Sequence, residues 1–151
     1  MTESRDDRTP LDEQTVEINL PNELGFERVV MGAIAALAKT VGFSRSRIED
    51  LKTAVAEACI NAVQHGNKNR AGARVTVTMN FKDGVFNVSV FDEGKGFERE
   101  PKDPDIVRIM ESVDPAIGFG TFLMRHLMDS VEYRKVGNHG HEVRMAMRLA
   151  P

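Results

Sequence analysis

Two runs of alternating residues on either side of Asp83-Gly84 constrain this chain more than any other feature. Val75, Val77, Met79 and Phe81 alternate with Thr76, Thr78 and Asn80, and Phe86, Val88 and Val90 follow the turn with the same period of two. Strand side chains point alternately to opposite faces, and Asp-Gly tolerates the positive φ angles of a tight hairpin. An antiparallel hairpin with one face to be buried is therefore expected. Material to cover it lies upstream. From Phe26 the apolar positions step through Val29, Val30, Ala33, Ile34, Leu37, Ala38 and Val41 with the helical period, and Gly42 is placed to end that helix. Ser46 and Glu49 have the spacing of a capping box, and Ile48, Leu51, Val55, Cys59 and Ala62 then trace one face of a second helix ending near His65-Gly66.

The flanking segments complete the pattern. Val16, Ile18 and Leu20 form a first strand, ended by Pro21. After Gly120 a helical stripe runs through Leu123, Met124, Leu127, Met128 and Val131, and a closing hairpin sets Val143, Met145, Met147 and Leu149 on one face of the last strand. The methionines read as core filler. Between Gly96 and Gly118 a polar segment carries Pro101, Pro104 and Pro115. That length is unusual for a connection and suits a lid, with a short helix from about Asp105 to Glu111. Strands clustered with strands, and helices interposed in groups, predict an α+β two-layer sandwich whose mixed, largely antiparallel sheet is covered by helices on one face. With 151 residues the chain fits one domain, read as residues 15–151 behind a polar, flexible tail at 1–14.

Composition removes several classes. The formal net charge is −3, and Lys and Arg are interspersed with Asp and Glu, so the basic stripe of a nucleic-acid binder is missing. The longest apolar stretch, Val29 to Ala38, is broken by Gly32 and falls short of the roughly 20 residues needed to span a bilayer. No apolar secretion signal precedes the first strand, so a cytoplasmic protein is expected. Cys59 is the sole cysteine; it reads as a small buried hydrophobe without disulfide or metal.

Three short segments can carry chemistry. Glu57 and Asn61 are four apart, about 40° from each other on one helical face, and that face points away from the apolar stripe. Alone, the pair fits a solvated surface; small Ala54, Ala58 and Ala62 beside it, with His65 one turn on, make it a candidate pocket floor. Asp92-Glu93-Gly94-Lys95-Gly96-Phe97 directly follows a strand. A strand-end carboxylate can accept a hydrogen bond from an amino group while bare glycine backbone lets a flat ring approach, which suits adenine. The segment lacks the remaining oxygen ligands of a calcium loop. Gly118-Phe119-Gly120-Thr121-Phe122 stands at a helix start, where unpaired N–H groups and glycines can receive a phosphate and Thr121 can add a hydroxyl donor.

In this order, on helix, strand end and helix start, the segments resemble the ATPase superfamily shared by gyrase, histidine kinases and mismatch-repair proteins, and within it the anti-sigma-factor serine kinases. The resemblance rests on Glu57-Ala58-Cys59-Ile60-Asn61-Ala62-Val63-Gln64-His65-Gly66, on Asp92 to Phe97, and on Gly118 to Met124 with Leu127-Met128-Asp129 behind. It runs from about Thr15 to Leu149. It implies a Bergerat-type ATPase fold that binds ATP with Mg2+, with Glu57 as general base and Asn61 as metal ligand. Asp92 would receive the adenine amine, and Gly94, Gly96, Gly118 and Gly120 would shape pocket and lid, with His65, Thr121 and Phe122 beside the nucleotide. The implied partners are an anti-anti-sigma (STAS-type) protein as phospho-acceptor, a sigma factor and a second copy in a homodimer.

Two departures stand out. Asp114-Pro115-Ala116-Ile117 occupies the stretch where that branch commonly has an arginine, and Gly140-His141-Glu142 replaces a frequent Gly-Thr. Two other functions share the same motifs: an ATP-binding partner-switching module without phosphotransfer, and a detached histidine-kinase ATPase domain. Against the latter, these 151 residues contain no upstream phospho-acceptor helix pair.

Overall fold

The computed structural model describes residues 14–94, 115–138 and 140–150, with the backbone alone at 115–119. The elements are β1 (Val16–Pro21), α1 (Glu27–Val41), α2 (Arg45–Asn61) extended by a single π-turn (Ala62–Gly66), β2 (Arg74–Lys82), β3 (Val85–Asp92), α3 (Pro115–Leu127), β4 (Ser130–Val136) and β5 (Gly140–Arg148). They form the expected α+β sandwich. The five strands lie in the order β1-β2-β3-β5-β4, and every neighbouring pair is antiparallel. Among the described residues the sheet is thus antiparallel throughout, not mixed. Strands β3 and β4 run in the same direction, with α3 in the connection between them, but β5 is inserted between the two and pairs antiparallel with both.

Register fixes the core. Val77 stands opposite Val90 and Val90 opposite Val143, so the apolar rows of β2, β3 and β5 share the face beneath the helices. Val30, Ile34 and Ala38 of α1 and Leu51, Val55 and Cys59 of α2 cover that face, all fully or almost fully buried. Phe43, between the two helices, meets the rings of Phe81 and Phe86 edge-on at 6.1 and 5.8 Å. On the opposite face, Asn19 donates to Thr76 and Asn87 to Asn80, the polar half of the alternation.

Gly42 ends α1 with φ 106°. Its N–H donates to Ala38 and Lys39 carbonyls, and the Phe43 N–H also reaches Ala38, a closure that favours a residue without Cβ.

Three sequence expectations shift. The α2 cap is Ser44, not Ser46: Ser44 is extended and its hydroxyl accepts from the Arg47 N–H at 3.4 Å, because buried Phe43 fixes where the chain must turn. Val131 belongs to β4, opposite Met145, since the Asp129 N–H is already bonded to Ala146. Helix α3 begins at Pro115, a residue pre-set for a first helical position, so Gly118 and Gly120 lie inside the helix and not ahead of it. Most of the expected lid, its short helix at 105–111 and the tail up to residue 13 fall outside the described residues. No described helix is long and apolar enough to cross a membrane.

Leu51 is completely buried between α2 and the sheet. Leu51→Ala should lower unfolding free energy by about 3 kcal/mol, read as a lower urea midpoint at unchanged slope.

Candidate functional site

The face of α2 that carries Glu57 and Asn61 is not a solvated one. Ala54 and Ala58 on it are buried and Asn61 is only 8% exposed, because α3 packs there while the opposite stripe packs on the sheet. The approach is close. A Cβ at Gly120 would stand 2.8 Å from Glu57 Oε2 and 3.5 Å from Asn61 Nδ2, so a side chain there would displace the Glu57 carboxylate. Asn61 Nδ2 and the Thr121 hydroxyl are buried with no hydrogen-bond partner among the described residues. Amide oxygen and nitrogen are assigned from their partners; with none, the carbonyl can equally face this space, as a hard-cation ligand must. Burial raises the Glu57 carboxyl above its ordinary value.

One turn on, the helix widens. The Asn67 N–H donates to the Ala62 carbonyl at 2.7 Å, the bond of a π-turn, a feature frequent at functional sites. The wider turn carries Gly66 against the end of β3. A methyl at Gly66 would overlap the Asp92 carboxylate, and one at Gly94 would overlap the Gly66 carbonyl.

Asp92 is 9% exposed. Its Oδ1 accepts the Gly94 N–H at 2.9 Å, and its Oδ2 lies 3.9 Å from His141 Nδ1. Desolvation pushes its carboxyl up to about 6, against the opposing effects of the Gly94 hydrogen bond and the Arg70 charge. Burial also lowers His141, with Glu142 working the other way.

Between these two ends lies a pocket partly open to solvent. Ala58, Ala62, Val90 and Val143 give it apolar walls, and Asn61, His65, Asp92 and His141 its polar groups. Asn61, His65 and Asp92 are thus brought together, Gly66 and Gly94 shape the Asp92 end, and Glu57 and Gly120 adjoin the Asn61 end. Phe122 instead packs on the His126 ring at 4.0 Å, and neither it nor Thr121 lines the pocket. Gly96 lies outside the described residues, and Gly118 is placed only as backbone within α3.

Sequence reasoning noticed His141 only as a departure. The alternation of Val143, Met145 and Met147 extended back two residues puts it on the core face, opposite Asp92. Tyr133 stacks on it at 6.0 Å, and Arg125 lies over the Tyr133 ring at 5.9 Å.

Comparison with known proteins gives the family and the fold. Residues 20–147 match the histidine kinase-like ATPase domain family. The chain belongs to that family. Within it, this ATPase domain is 34% identical over 128 residues to the serine-protein kinase RsbW of Bacillus subtilis, covering 82% of this chain and 78% of that protein. It is 33% identical over 138 residues to RsbW of Bacillus velezensis, covering 89% and 85%. Its fold matches a crystal structure of the RsbU and RsbW domains from Mycobacterium tuberculosis with a TM-score of 0.64 at 21% identity, over 94% of this chain and 34% of that longer one. The SiaB-SiaC complex from Pseudomonas aeruginosa matches with a TM-score of 0.63 at 13% identity, over 89% of this chain and 90% of that one.

The buried Asp92 charge has a cost. A raised carboxyl pKa means that its contribution to stability is complete below the ordinary value of 3.8 and is lost as pH rises through about 6. At about 1.4 kcal/mol per factor of ten, ionisation above pH 7 costs the ligand-free ATPase domain about 3 kcal/mol. Asp92→Asn should therefore be more stable than the parent at pH 8, with the gain shrinking toward pH 4 in urea unfolding.

Proposed function

We propose that this chain is an anti-sigma serine/threonine kinase that binds ATP with Mg2+ between α2, α3 and the ends of β3 and β5. It transfers the terminal phosphoryl group to a serine or threonine of an anti-anti-sigma (STAS-type) protein, and holds a sigma factor when that partner is absent. One observation carries the reading: the acid, the amide and a helical glycine meet at one end of a pocket whose other end holds a buried carboxylate. The similarity to serine-protein kinases RsbW supports the choice of reaction.

In this reading the adenine amine donates to Asp92, and the ring lies between the alanines of α2 and the valines of β3 and β5. Asn61 would hold Mg2+, which supplies neutralisation of phosphate charge; one protein ligand suits an ion that keeps phosphate and water oxygens around it. Glu57, made more basic by burial, accepts the proton of the attacking hydroxyl. The new O–P bond forms as the bond from the terminal phosphorus to its bridging oxygen breaks, and ADP leaves. A homodimer working in the cytoplasm completes the proposal, with exposed Leu24, Phe26 and Val29 around the start of α1 offering apolar surface for self-association.

Incubation with Mg-ATP and the cognate anti-anti-sigma protein should yield a phosphate on that partner that is stable in acid. Glu57→Ala should slow transfer by about 10²–10⁴ while leaving ATP affinity within a few-fold. Transfer at the parental rate would remove Glu57 as base, and ATP binding without transfer to the partner would leave a partner-switching module. A second test is the pH profile of ATP affinity by calorimetry. Affinity should be level between pH 7 and 8 and fall below about pH 6, because a protonated Asp92 carboxyl loses the acceptor charge that the amine needs.

A further inference from the structure

We propose that Asn67 is a positioning residue for the base end of this site, a clamp that fixes the segment Asp92-Glu93-Gly94 against the helix carrying Asn61. Its side chain is 2% exposed and its polar groups are engaged. Oδ1 accepts the Glu93 N–H at 2.7 Å. Nδ2 donates to Asn22 Oδ1 at 2.9 Å and to the Arg74 carbonyl at 3.0 Å. The same residue closes the π-turn through its backbone N–H, so one asparagine ties the helix end, the turn after β1, the start of β2 and the end of β3.

The chemistry selects the amide. Two acceptors face Nδ2 and a donor faces Oδ1, a pattern a carboxylate cannot satisfy and a hydroxyl is too short to span. The chain is bent to present it. Lys68 and Asn69, which follow, are both left-handed with φ 52° and 56°, and the Asn69 N–H returns to the Val63 carbonyl at 2.9 Å. Two successive non-glycine residues in that region are costly and persist where surrounding contacts fix them. Glu93 is gripped from the same loop: its carbonyl accepts from Arg70 and its carboxylate from the Arg74 N–H. Asp92 and Gly94 flank Glu93, so the bond from Asn67 sets both the base-facing carboxylate and the glycine packed on Gly66.

The base-reading part rests on the assignment of Asp92 to the adenine amine, and the test separates the two. Asn67→Ala and the milder Asn22→Ala are made in the full chain. Amide exchange is measured without nucleotide, and affinities are measured for ATP and for inosine triphosphate, which carries an oxo group in place of the amine. In Asn67→Ala the Glu93 amide should exchange at least about tenfold faster, with Val88 and Val90 in mid-β3 at parental rates. The preference for ATP over inosine triphosphate, expected to be on the order of tenfold or more in the parent, should collapse toward one while inosine triphosphate binding changes by less than twofold. Asn22→Ala should move both readouts the same way by a smaller factor. Parental Glu93 exchange in both variants, or an unchanged ATP preference in Asn67→Ala, overturns the clamp. If the parent itself does not prefer ATP, the role of Asp92 falls and Glu93 exchange alone decides the clamp.

Discussion

Where the second helix ends against the third strand, two stretches of backbone are packed so tightly that neither Gly66 nor Gly94 could bear a side chain. The Gly94 side of that contact is main chain against main chain, whose spacing does not vary with rotamers, and the Gly66 side meets the Asp92 carboxylate. Asn61 sits on one side of it and Asp92 on the other. The distance across the pocket is consequently set by peptide geometry, and the π-turn of 62–66 supplies the wider helical radius that lets the two backbones meet. A regular α-turn would close on the i−4 carbonyl and place Gly66 differently relative to β3.

Helix α2 is the shared wall of this arrangement. Its apolar stripe seals the sheet, and the opposite side, lined with alanines, accepts α3 at Gly120. Small residues there let α3 approach closely enough to half-bury Glu57 and bury Asn61. The enclosure is what shifts Glu57 and Asp92 upward. In the proposed function, the Asp92 carboxylate kept at such a cost would offer its acceptor capacity to a donor brought by the nucleotide, so that stability and binding would oppose one another.

Much of this was legible in the sequence. The hairpin at Asp83-Gly84, both early helices and the closing strands follow from periods of 2 and 3.6, because each element buries one face only. What escaped depends on long-range packing. The Glu57/Asn61 face looks solvated until α3 is laid on it, and the start of α3 at Pro115 was masked by glycines that resemble a helix beginning. His141 acquires meaning only through its register with Asp92, a pairing 49 positions apart in the chain that local pattern cannot supply. Asparagine favours turns for local reasons, and the side-chain bonds of Asn67 to Asn22 and Glu93 appear only once the chain is folded.

Cys59 is fully enclosed in the core, and its thiol is pushed up to about 12 by burial, with the Glu27 charge adding to the effect. At neutral pH it therefore holds almost no thiolate, the form that oxidants and alkylating reagents attack. The native chain thus offers thiol-directed reagents almost no thiolate at neutral pH. A cysteine introduced anywhere on its surface could be tagged with a single dye or spin label without first deleting the natural one, leaving the packing around α2 as it is.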